Sequence, residues 1–355
     1  MTDGYGRSID YLRISLTDKC SLRCGYCMPA EGIRHLSHDD ILSLEEIQRI
    51  AFIMTGLGIK KVRLTGGEPL VRRGVVRLVE MLSDKTDTRK KEKKGGDKYA
   101  NEEAAPEIVM TTNGIRLPEM AADLKEAGLS GVNISLDTLN RDTFIRLTGY
   151  DELEKVLSGI AAASESGLTV KLNCVPVRGI NDSEIKELVS FAEDTGADIR
   201  FIELMPIGCG GLFEGIPSGE LIKKLEEIYG TAEMDSSGGK AGTESSEAGT
   251  EGLPAAKGPA EYYRFDGLNV RVGFISPMSH CFCERCNRVR LTAEGFLKLC
   301  LQYPYGIDLR GPLRAGASDD EIRDMICRAV ERKPASHSFG DGGSADNRKM
   351  IQIGG

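Results

Sequence analysis

Short apolar segments rich in β-branched residues alternate with longer amphipathic segments between about residue 10 and residue 230. The first kind is typical of parallel strands buried on both faces, and the second of helices that pack one face against a sheet. The predicted strands are Leu12–Leu16, Lys61–Leu64, Glu107–Met110, Gly131–Ser135, Thr169–Val175 and Ile199–Leu204. The predicted helices include Leu44–Thr55, Pro118–Ala127, Leu153–Ser166 and Ser183–Thr195, and Ser43 with Glu46 forms a capping box at the start of the first. Six βα units in series predict an α/β fold with a parallel sheet. Because a closed TIM barrel needs eight units, we expect an incomplete (βα)6 TIM-type barrel.

The pattern changes towards the end of the chain, where short predicted strands follow one another closely. These strands are Tyr262–Phe265, Val270–Ile275, Arg288–Leu291 and Phe296–Leu299. Glu294-Gly295 predicts a hairpin turn, and the capping box Ser318-x-x-Glu321 predicts a helix start. The last six residues, from Met350, have no regular pattern. We expect residues 1–235 to form the barrel and residues 260–355 a C-terminal α+β extension.

Two segments interrupt the alternation of strands and helices. Residues 84–105 mix Lys, Asp, Glu and Gly, and residues 236–259 are rich in Gly, Ser, Glu and Ala. Such compositions cannot bury enough apolar surface to offset the entropy of ordering. We expect both segments to be disordered insertions without a direct role in function.

Composition and charge narrow the classes of partner. The net charge is −8, which argues against a nucleic-acid partner, so an anionic ligand must be held by locally placed Arg and Lys. No apolar run approaches the ~20 residues of a membrane span, and no signal-peptide core is present near Met1. We therefore expect a cytoplasmic protein without a membrane partner. Ten cysteines in such a chain favour metal binding over a disulfide framework.

A first cysteine group, Cys20-x3-Cys24-x2-Cys27, follows the first predicted strand. That loop lies at the C-terminal face of a βα barrel, where catalytic residues are found. Three thiolates can bind three irons of a [4Fe–4S] cluster and leave the fourth iron open for a small molecule. A zinc knuckle is the alternative, although His35 and His38 fit zinc-finger spacing poorly.

A second group, Cys283-x2-Cys286-x13-Cys300, offers three more thiolates. They could bind another cluster with an open iron, or they could complete a four-thiolate zinc site together with Cys281. The number of ligands does not decide between these sites. Arg288 and Arg290 follow on one face of a predicted strand, and guanidinium groups recognise phosphate and guanine edges.

The first cysteine group, with Tyr26 before its last cysteine, resembles the signature of the radical S-adenosylmethionine superfamily. Gly66-Gly67-Glu68-Pro69, directly after the second predicted strand, resembles the second motif of that superfamily. The glycine pair lets backbone approach a ligand closely, and Glu68 can accept a hydrogen bond from an ammonium group. Taken alone, the same four residues could be an ordinary turn.

From about Asp10 to Gly355, apart from the two insertions, the chain resembles the GTP 3′,8-cyclase family, which begins molybdenum cofactor biosynthesis. The matching residues are Arg13, Cys20-Ser-Leu-Arg-Cys-Gly-Tyr-Cys27-Met-Pro29, Arg63-Leu-Thr-Gly-Gly-Glu-Pro69, Thr111-Thr112-Asn113-Gly114, Asn133-Ile-Ser135-Leu-Asp137, Lys171, Arg200-Phe-Ile-Glu-Leu-Met205, the segment from Cys283 to Cys300, and Gly354-Gly355. So many matches in one order make coincidence implausible.

The resemblance implies a role for each matching position. Cysteines 20, 24 and 27 would bind one [4Fe–4S] cluster and cysteines 283, 286 and 300 a second. S-adenosylmethionine would contact Tyr26, Gly66, Gly67, Glu68, Ser135 and Met205. GTP would be held by Arg13, Arg63, Thr111, Lys171, Arg288 and Arg290, and the last two are also candidates for assisting the final reduction. Gly354-Gly355 would be a mobile tail that reaches into the site, whereas a frayed end is the simpler alternative.

The implied reaction is a radical cyclisation of GTP to (8S)-3′,8-cyclo-7,8-dihydroguanosine 5′-triphosphate, a lyase reaction. It needs S-adenosylmethionine and a reducing electron donor, and its product would pass to cyclic pyranopterin monophosphate synthase. A homodimer is one arrangement that the sequence allows. We also expect the predicted GTP-binding residues of the barrel to lie at or just inside the C-terminal ends of their strands, where their side chains converge.

Two rival functions remain at this point. A radical enzyme that modifies a peptide could also carry an extra cluster in its C-terminal region, although such enzymes usually have more cysteines there. A non-catalytic iron–sulfur or zinc carrier is the other, but it would need neither Gly66-Gly67-Glu68-Pro69 nor convergent cations.

Overall fold

The structure is a computed structural model that describes residues 1–29, 31–84, 105–235, 258–339, 346 and 348–354. Nearly all of the two low-complexity segments, 84–105 and 236–259, lies outside these residues. The predicted disorder of the insertions therefore stays a prediction. Gly355, the second residue of the predicted tail motif, also lies outside the described residues.

Twelve strands in the described ranges form a single sheet. They are β1 (Tyr11–Ser15), β2 (Lys61–Thr65), β3 (Glu107–Thr112), β4 (Gly131–Ser135), β5 (Thr169–Cys174), β6 (Asp198–Ile202), β7 (Ala232–Met234), β8 (Glu261–Phe265), β9 (Val272–Ile275), β10 (Arg288–Leu291), β11 (Phe296–Lys298) and β12 (Gly306–Asp308). The ten strands predicted from sequence are all present, with ends that differ by at most two residues. Strands β10 and β11 pair antiparallel, as the predicted hairpin requires.

Eight of the strands run parallel, in the order β10-β1-β2-β3-β4-β5-β6-β9. The six central strands belong to the predicted βα units. The C-terminal strands β9 and β10 extend the two opposite edges of this series, so they do not close the barrel between them. The predicted incomplete TIM-type barrel with a C-terminal extension is confirmed, and the extension continues the same sheet.

The helices that periodicity predicted bury their apolar faces in the core, and the described ranges contain ten α-helices. They are α1 (Leu44–Gly56), α2 (Val75–Ser83), α3 (Leu117–Glu126), α4 (Arg141–Thr148), α5 (Leu153–Glu165), α6 (Ile185–Thr195), α7 (Ser218–Tyr229), α8 (Arg310–Arg314), α9 (Asp319–Val330) and α10 (Met350–Ile353). Both capping boxes are formed, at Ser43 with Glu46 and at Ser318 with Glu321. None of the described helices combines the length and the apolar character needed to cross a bilayer.

The C-terminal tail differs from the sequence expectation. The sequence shows no regular pattern there, yet residues 350–353 form the short helix α10, and Ile351 and Ile353 are buried. Burial of these two side chains is a tertiary interaction, which a local pattern of four residues is too short to reveal.

Candidate active site

A cavity of about 1870 Å³ fills the interior of the open barrel. Its volume exceeds the ~300–1,000 Å³ usual for a site that holds one small ligand. Both cysteine groups line it, and so do all the residues predicted to contact S-adenosylmethionine and GTP: Arg13, Cys20, Cys24, Tyr26, Cys27, Arg63, Gly66, Gly67, Glu68, Thr111, Ser135, Lys171, Met205, Cys283, Cys286, Arg288, Arg290 and Cys300. The fold therefore brings residues from the whole length of the chain to one space large enough for several ligands.

The first cysteine loop follows β1 and is attached to the C-terminal end of α4. Gly25 N donates to Leu147 O at 2.9 Å, and Arg23 N donates to Thr148 O at 2.8 Å. Within the loop, Cys27 N donates to Cys24 O at 2.9 Å. Backbone hydrogen bonds to a helix end thus fix where these thiols enter the cavity.

The thiols of this loop are suited to a soft metal group. Burial and, to a smaller extent, the nearby Cys20 thiol raise the pKa of Cys27 to about 12. Burial and the Cys27 thiol likewise raise the pKa of Cys24 well above its usual value. Neighbouring buried thiols oppose one another's ionisation, and a bound cationic metal reverses that effect. Three thiols on one loop match the ligand preference of iron–sulfur clusters.

Gly66 and Gly67 let the loop after β2 pack directly on the first cysteine loop. Gly67 N donates to Thr17 O at 2.7 Å, and Glu68 N donates to Lys19 O at 2.8 Å. A Cβ atom on Gly67 would lie 2.3 Å from Lys19 O, and one on Gly66, whose φ is 147°, would lie 2.6 Å from Thr17 O. Only glycine fits at these two positions.

Glu68 is buried and receives three hydrogen bonds from the protein. The donors are Leu70 N at 2.9 Å, Thr112 Oγ1 at 2.7 Å and Asn113 N at 2.7 Å. Its burial raises the pKa of the carboxyl group. A carboxylate has about four acceptor positions, so one remains for the ammonium group that the sequence predicts as its ligand. Glu68 therefore also holds the ends of β2 and β3 together.

Tyr26 is anchored by a carboxyl group for which no role was predicted. Its hydroxyl donates to Asp137 Oδ2 at 2.5 Å, and Asp137 Oδ1 accepts from Val175 N at 2.8 Å. Burial raises the pKa of Asp137 to about 6. Ser135 ends β4, two residues before this carboxyl group, and Met205 follows β6. The predicted S-adenosylmethionine contacts thus lie at the C-terminal end of β4 or on the loops that follow β1, β2 and β6.

Three arginines lie side by side across the sheet, and we call them the arginine row. Strand register places Arg13 of β1 opposite Arg290 of β10 on one side and Arg63 of β2 on the other. Burial lowers the pKa of Arg13 well below its usual value, and the neighbouring charge of Arg290 lowers it further. Burial and, to a smaller extent, the neighbouring charge of Arg288 lower the pKa of Arg290 to about 10. Packing like charges together in a buried row favours an anionic ligand between them.

The arginine row lies deeper in the barrel than the sequence suggested. Arg13 and Arg63 are the middle residues of β1 and β2, and Lys171 is the third residue of β5, whereas Thr111 is one residue from the end of β3. The expectation of strand-end positions was therefore wrong for the three cations. Because the barrel is open and hollow, its inner face is available along the full length of each strand.

Gly354 reaches the arginine row. Arg13 Nη2 and Arg290 Nη1 donate to its carbonyl oxygen at 3.2 Å and 3.0 Å. Its φ is +72°, and an added Cβ would lie 3.0 Å from Thr65 Cγ2. The tail thus extends to the residues predicted to hold the substrate, with a backbone conformation that favours glycine.

Lys171 has a different setting from the arginines. Its Nζ donates to Asp198 Oδ2 at 3.0 Å and to Tyr262 Oη at 3.1 Å. Arg271 Nη2 donates to the same Asp198 oxygen at 2.6 Å. A carboxylate therefore compensates the charge of Lys171, whereas the arginines of the row lie beside one another.

Several cavity residues were given no role by sequence reasoning. They are Tyr11, Asp137, Asn173, Asp198, Tyr262, Arg271 and His337. Some could have been found, because a polar residue two positions from a predicted site residue on the same strand faces the same way. Tyr11 stands in this relation to Arg13, and Asn173 to Lys171. His337 is distant in sequence from every predicted ligand and offered no such signal.

Two family models match the chain. The model of the Radical SAM superfamily matches residues 14–192, and the model named Molybdenum Cofactor Synthesis C matches residues 197–339. A GTP 3′,8-cyclase from Peptoclostridium acidaminophilum is 45% identical over 360 residues, which cover 100% of this chain and 98% of that protein. A GTP 3′,8-cyclase from Moorella thermoacetica is 46% identical over 363 residues, with 100% of each chain covered.

A solved structure shares the fold at low sequence identity. The crystal structure of Streptococcus suis SuiB bound to S-adenosylmethionine aligns with a TM-score of 0.56 and 12% identity, covering 98% of this chain and 77% of that one. This likeness supports the partial barrel with its C-terminal extension.

Proposed function

The chain belongs to the GTP 3′,8-cyclase family of the radical S-adenosylmethionine superfamily, and on this basis we propose that it converts GTP to (8S)-3′,8-cyclo-7,8-dihydroguanosine 5′-triphosphate. The observation that carries the proposal is the convergence of two thiol groups and an arginine row on one cavity. The reaction is the first step of molybdenum cofactor biosynthesis and requires S-adenosylmethionine and a reductant.

The thiols fit the two clusters of this family. Cysteines 20, 24 and 27 would hold the first, and cysteines 283, 286 and 300 the second. When bound, the clusters and S-adenosylmethionine supply one-electron reduction and a carbon radical that removes hydrogen from the ribose. The chain itself would bind, orient and shield the two organic ligands. Asp137 would fix the ring of Tyr26, while Glu68 would keep the loops after β1, β2 and β3 together.

The arginine row would bind the triphosphate. Guanidinium groups pair with phosphate oxygens in a bidentate manner, and burial strengthens each pair by excluding water. Thr111 Oγ1 accepts from Arg63 Nη1 at 3.1 Å, which holds that guanidinium in place before substrate arrives. Fixing the ribose relative to the first cysteine loop is the main catalytic task of the protein, since positioning alone can lower a barrier by several kcal/mol.

Anaerobic reconstitution in zinc-free buffer tests this function. We expect about eight irons per chain, four for each cluster, and 5′-deoxyadenosine formation that depends on GTP. Four irons would contradict the two-cluster assignment. Cleavage of S-adenosylmethionine that ignores GTP but responds to a peptide would favour a peptide-modifying radical enzyme instead. The transfer of product to cyclic pyranopterin monophosphate synthase, the homodimer and the cytoplasmic location stay predictions from the sequence.

Substitution of Arg288 should separate substrate binding from cluster binding. Its guanidinium carbon lies 4.9 Å from the centre of the Phe282 ring, on the cavity wall beside the second cysteine group. Loss of a hydrogen bond to a charged group costs about 1.5–3 kcal/mol, so Arg288→Ala should weaken GTP binding roughly 10–100-fold with about eight irons retained. Equilibrium binding and iron analysis measure the two effects, and Arg141→Ala on the surface of α4 is the matched control. Loss of iron in Arg288→Ala would mean that its role was misassigned.

Tyr11 should make GTP binding depend on pH. Although burial acts to raise its pKa, the charges of Arg63 and Arg13 outweigh burial and lower the pKa of Tyr11 to about 8. Above pH 8 the phenolate offsets the arginine row and repels the triphosphate. Affinity for GTP should therefore fall as pH rises from 7 to 9, by up to about tenfold per pH unit above the pKa, since one proton is coupled to binding.

Comparison of variants isolates this effect from the titration of GTP itself. In Tyr11→Phe, the part of the fall in GTP affinity that is due to Tyr11 should disappear. Tyr150→Phe, at an exposed tyrosine, should have the same pH dependence as the unmodified chain. Binding isotherms at pH 7, 8 and 9 provide the measurement. Identical pH profiles for Tyr11→Phe and the unmodified chain would contradict the prediction.

A further inference from the structure

Cys281, Cys283 and His337 form a compact group of metal-binding side chains beside the second cysteine group. One ligand atom from each residue lies within 4.8 Å of those of the other two. Among the residues that the structure describes, no other set of three or more His, Cys, Asp or Glu side chains is this compact. Cys281 is exposed and Cys283 is buried, so the group is accessible from solvent on one side.

The compactness of this group suits a single ion rather than a cluster. Ligands that bind one tetrahedral Zn²⁺ at ~2.0–2.3 Å lie roughly 3.5–4 Å from one another. Side-chain shifts of about 1 Å would bring the three atoms to that spacing. Thiolates on separate irons of a cubic cluster must lie farther apart, because the cluster itself separates them. Cys286 and Cys300, the other predicted ligands of the second cluster, do not belong to the compact group.

His337 provides an independent indication of a ligand. Its two ring nitrogens are buried, and among the described residues the ring has only a poorly aligned backbone contact with Pro277. Its backbone N donates to Cys283 Sγ at 3.3 Å, which fixes the residue next to the thiol. The ring is further held against Phe339, with 4.7 Å between the ring centres. Buried ring nitrogens without a well-formed hydrogen bond are unfavourable, and a metal ion would bind one of them.

We propose that Cys281, Cys283 and His337 bind one Zn²⁺ when the second cluster is absent, and that zinc and the cluster compete for Cys283. Each thiol loses its proton to solvent on binding, and neutral His337 gives a nitrogen lone pair. Water fills the fourth position, as is usual for zinc with three protein ligands. The competition rests on the proposed function, because that function makes Cys283 a cluster ligand. The zinc site itself is independent of the proposed function.

Cobalt titration of the cluster-free full chain carrying Cys24→Ser, which disables the first cysteine group, tests the site. Co²⁺ added without oxygen should give one equivalent of tetrahedral thiolate-bound metal, seen as thiolate-to-cobalt charge transfer and visible d–d bands, and Zn²⁺ should displace it. Cys281→Ser and His337→Gln should each weaken binding at least about tenfold, since even residues that only support a metal ligand have effects of that size. Cys327→Ser on α9 is the matched control and should bind normally.

Two results would overturn the site. One is unchanged cobalt affinity in both Cys281→Ser and His337→Gln, with native circular dichroism. The other is loss of binding only in Cys286→Ser and Cys300→Ser, which would indicate a different set of ligands. His337→Gln introduces a side chain of similar size in a half-exposed place, so it should fold even if a cysteine variant does not.

Order of addition tests the competition. Chain loaded with one Zn²⁺ before iron and sulfide should take up about four irons, against about eight without zinc. Cys281→Ser and His337→Gln should restore about eight irons after the same zinc treatment. Uptake of eight irons with zinc retained would overturn the competition. A failure of the proposed function would appear separately, as absence of GTP-dependent 5′-deoxyadenosine in the zinc-free preparation.

Discussion

Cys24→Ser is expected to halve the iron content, from about eight to about four per chain, and to abolish cleavage of S-adenosylmethionine. Cys24 is the middle cysteine of a loop whose backbone is held on α4, so its substitution removes one of the three predicted ligands of the first cluster. A serine hydroxyl is a harder ligand that does not ionise near neutral pH, and it binds iron–sulfur clusters poorly. The second cysteine group lies on other elements and should keep its iron.

Cys327→Ser is the matched control for this experiment. Cys327 is a partly exposed thiol of α9 and should leave both clusters and the activity unchanged. Iron analysis, visible absorption and quantification of 5′-deoxyadenosine make the comparison. Eight irons and normal cleavage in Cys24→Ser would show that the first cluster is not held by this loop.

Gly67→Ala is expected to lower the rate of S-adenosylmethionine cleavage about 100-fold or more. The added Cβ would lie 2.3 Å from Lys19 O and 3.1 Å from Cys20 N. Both are backbone atoms, so no side-chain rotation can relieve the overlap, and the cysteine loop must move. A displacement of about 1 Å between catalytic groups can cost about 10²-fold in rate.

Gly219→Ala is the control that separates this local effect from a general effect of adding a methyl group. Gly219 lies in α7, and an added Cβ meets nothing within 4 Å. Alanine in a helix is more favourable than glycine by roughly 0.5–1 kcal/mol, so this variant should be as active and slightly more stable. Rates of 5′-deoxyadenosine formation and urea unfolding make the comparison. A Gly67→Ala variant with normal rate would mean that the two loops need not pack closely.

The sequence predicted those parts of the molecule that depend on local pattern. Strand β4 and strand β10 have the predicted ends, and the capping boxes before α1 and α9 are formed. The role of Gly66-Gly67 was also predictable, because a pair of glycines in a loop indicates close approach of the backbone to another group. Its structural reason, contact with the cysteine loop, became visible only when Thr17 and Lys19 were placed beside it.

Other features depend on contacts between distant residues and were not predictable from local pattern. Strands β9 and β10 are short, and their parallel pairing with β6 and β1 follows from how the chain returns to the two edges of the barrel. Likewise, Cys283 and His337 are separated by 54 residues. No spacing rule links them, so the four-thiolate zinc site considered from sequence did not include the histidine.

Binding of the proposed substrate at the arginine row would make that substrate part of the energetics of folding. Three cations in adjacent register positions repel one another, and burial adds to the cost of their charge. Such a site is destabilising when empty, a common trade between stability and activity. A polyanion that binds only the folded chain offsets this destabilisation. At a concentration of 100 times its Kd, it raises the free energy of unfolding by about 2.7 kcal/mol. In a cell, the nucleotide pool would then set how long the apoprotein survives proteolysis, as well as how fast it turns over.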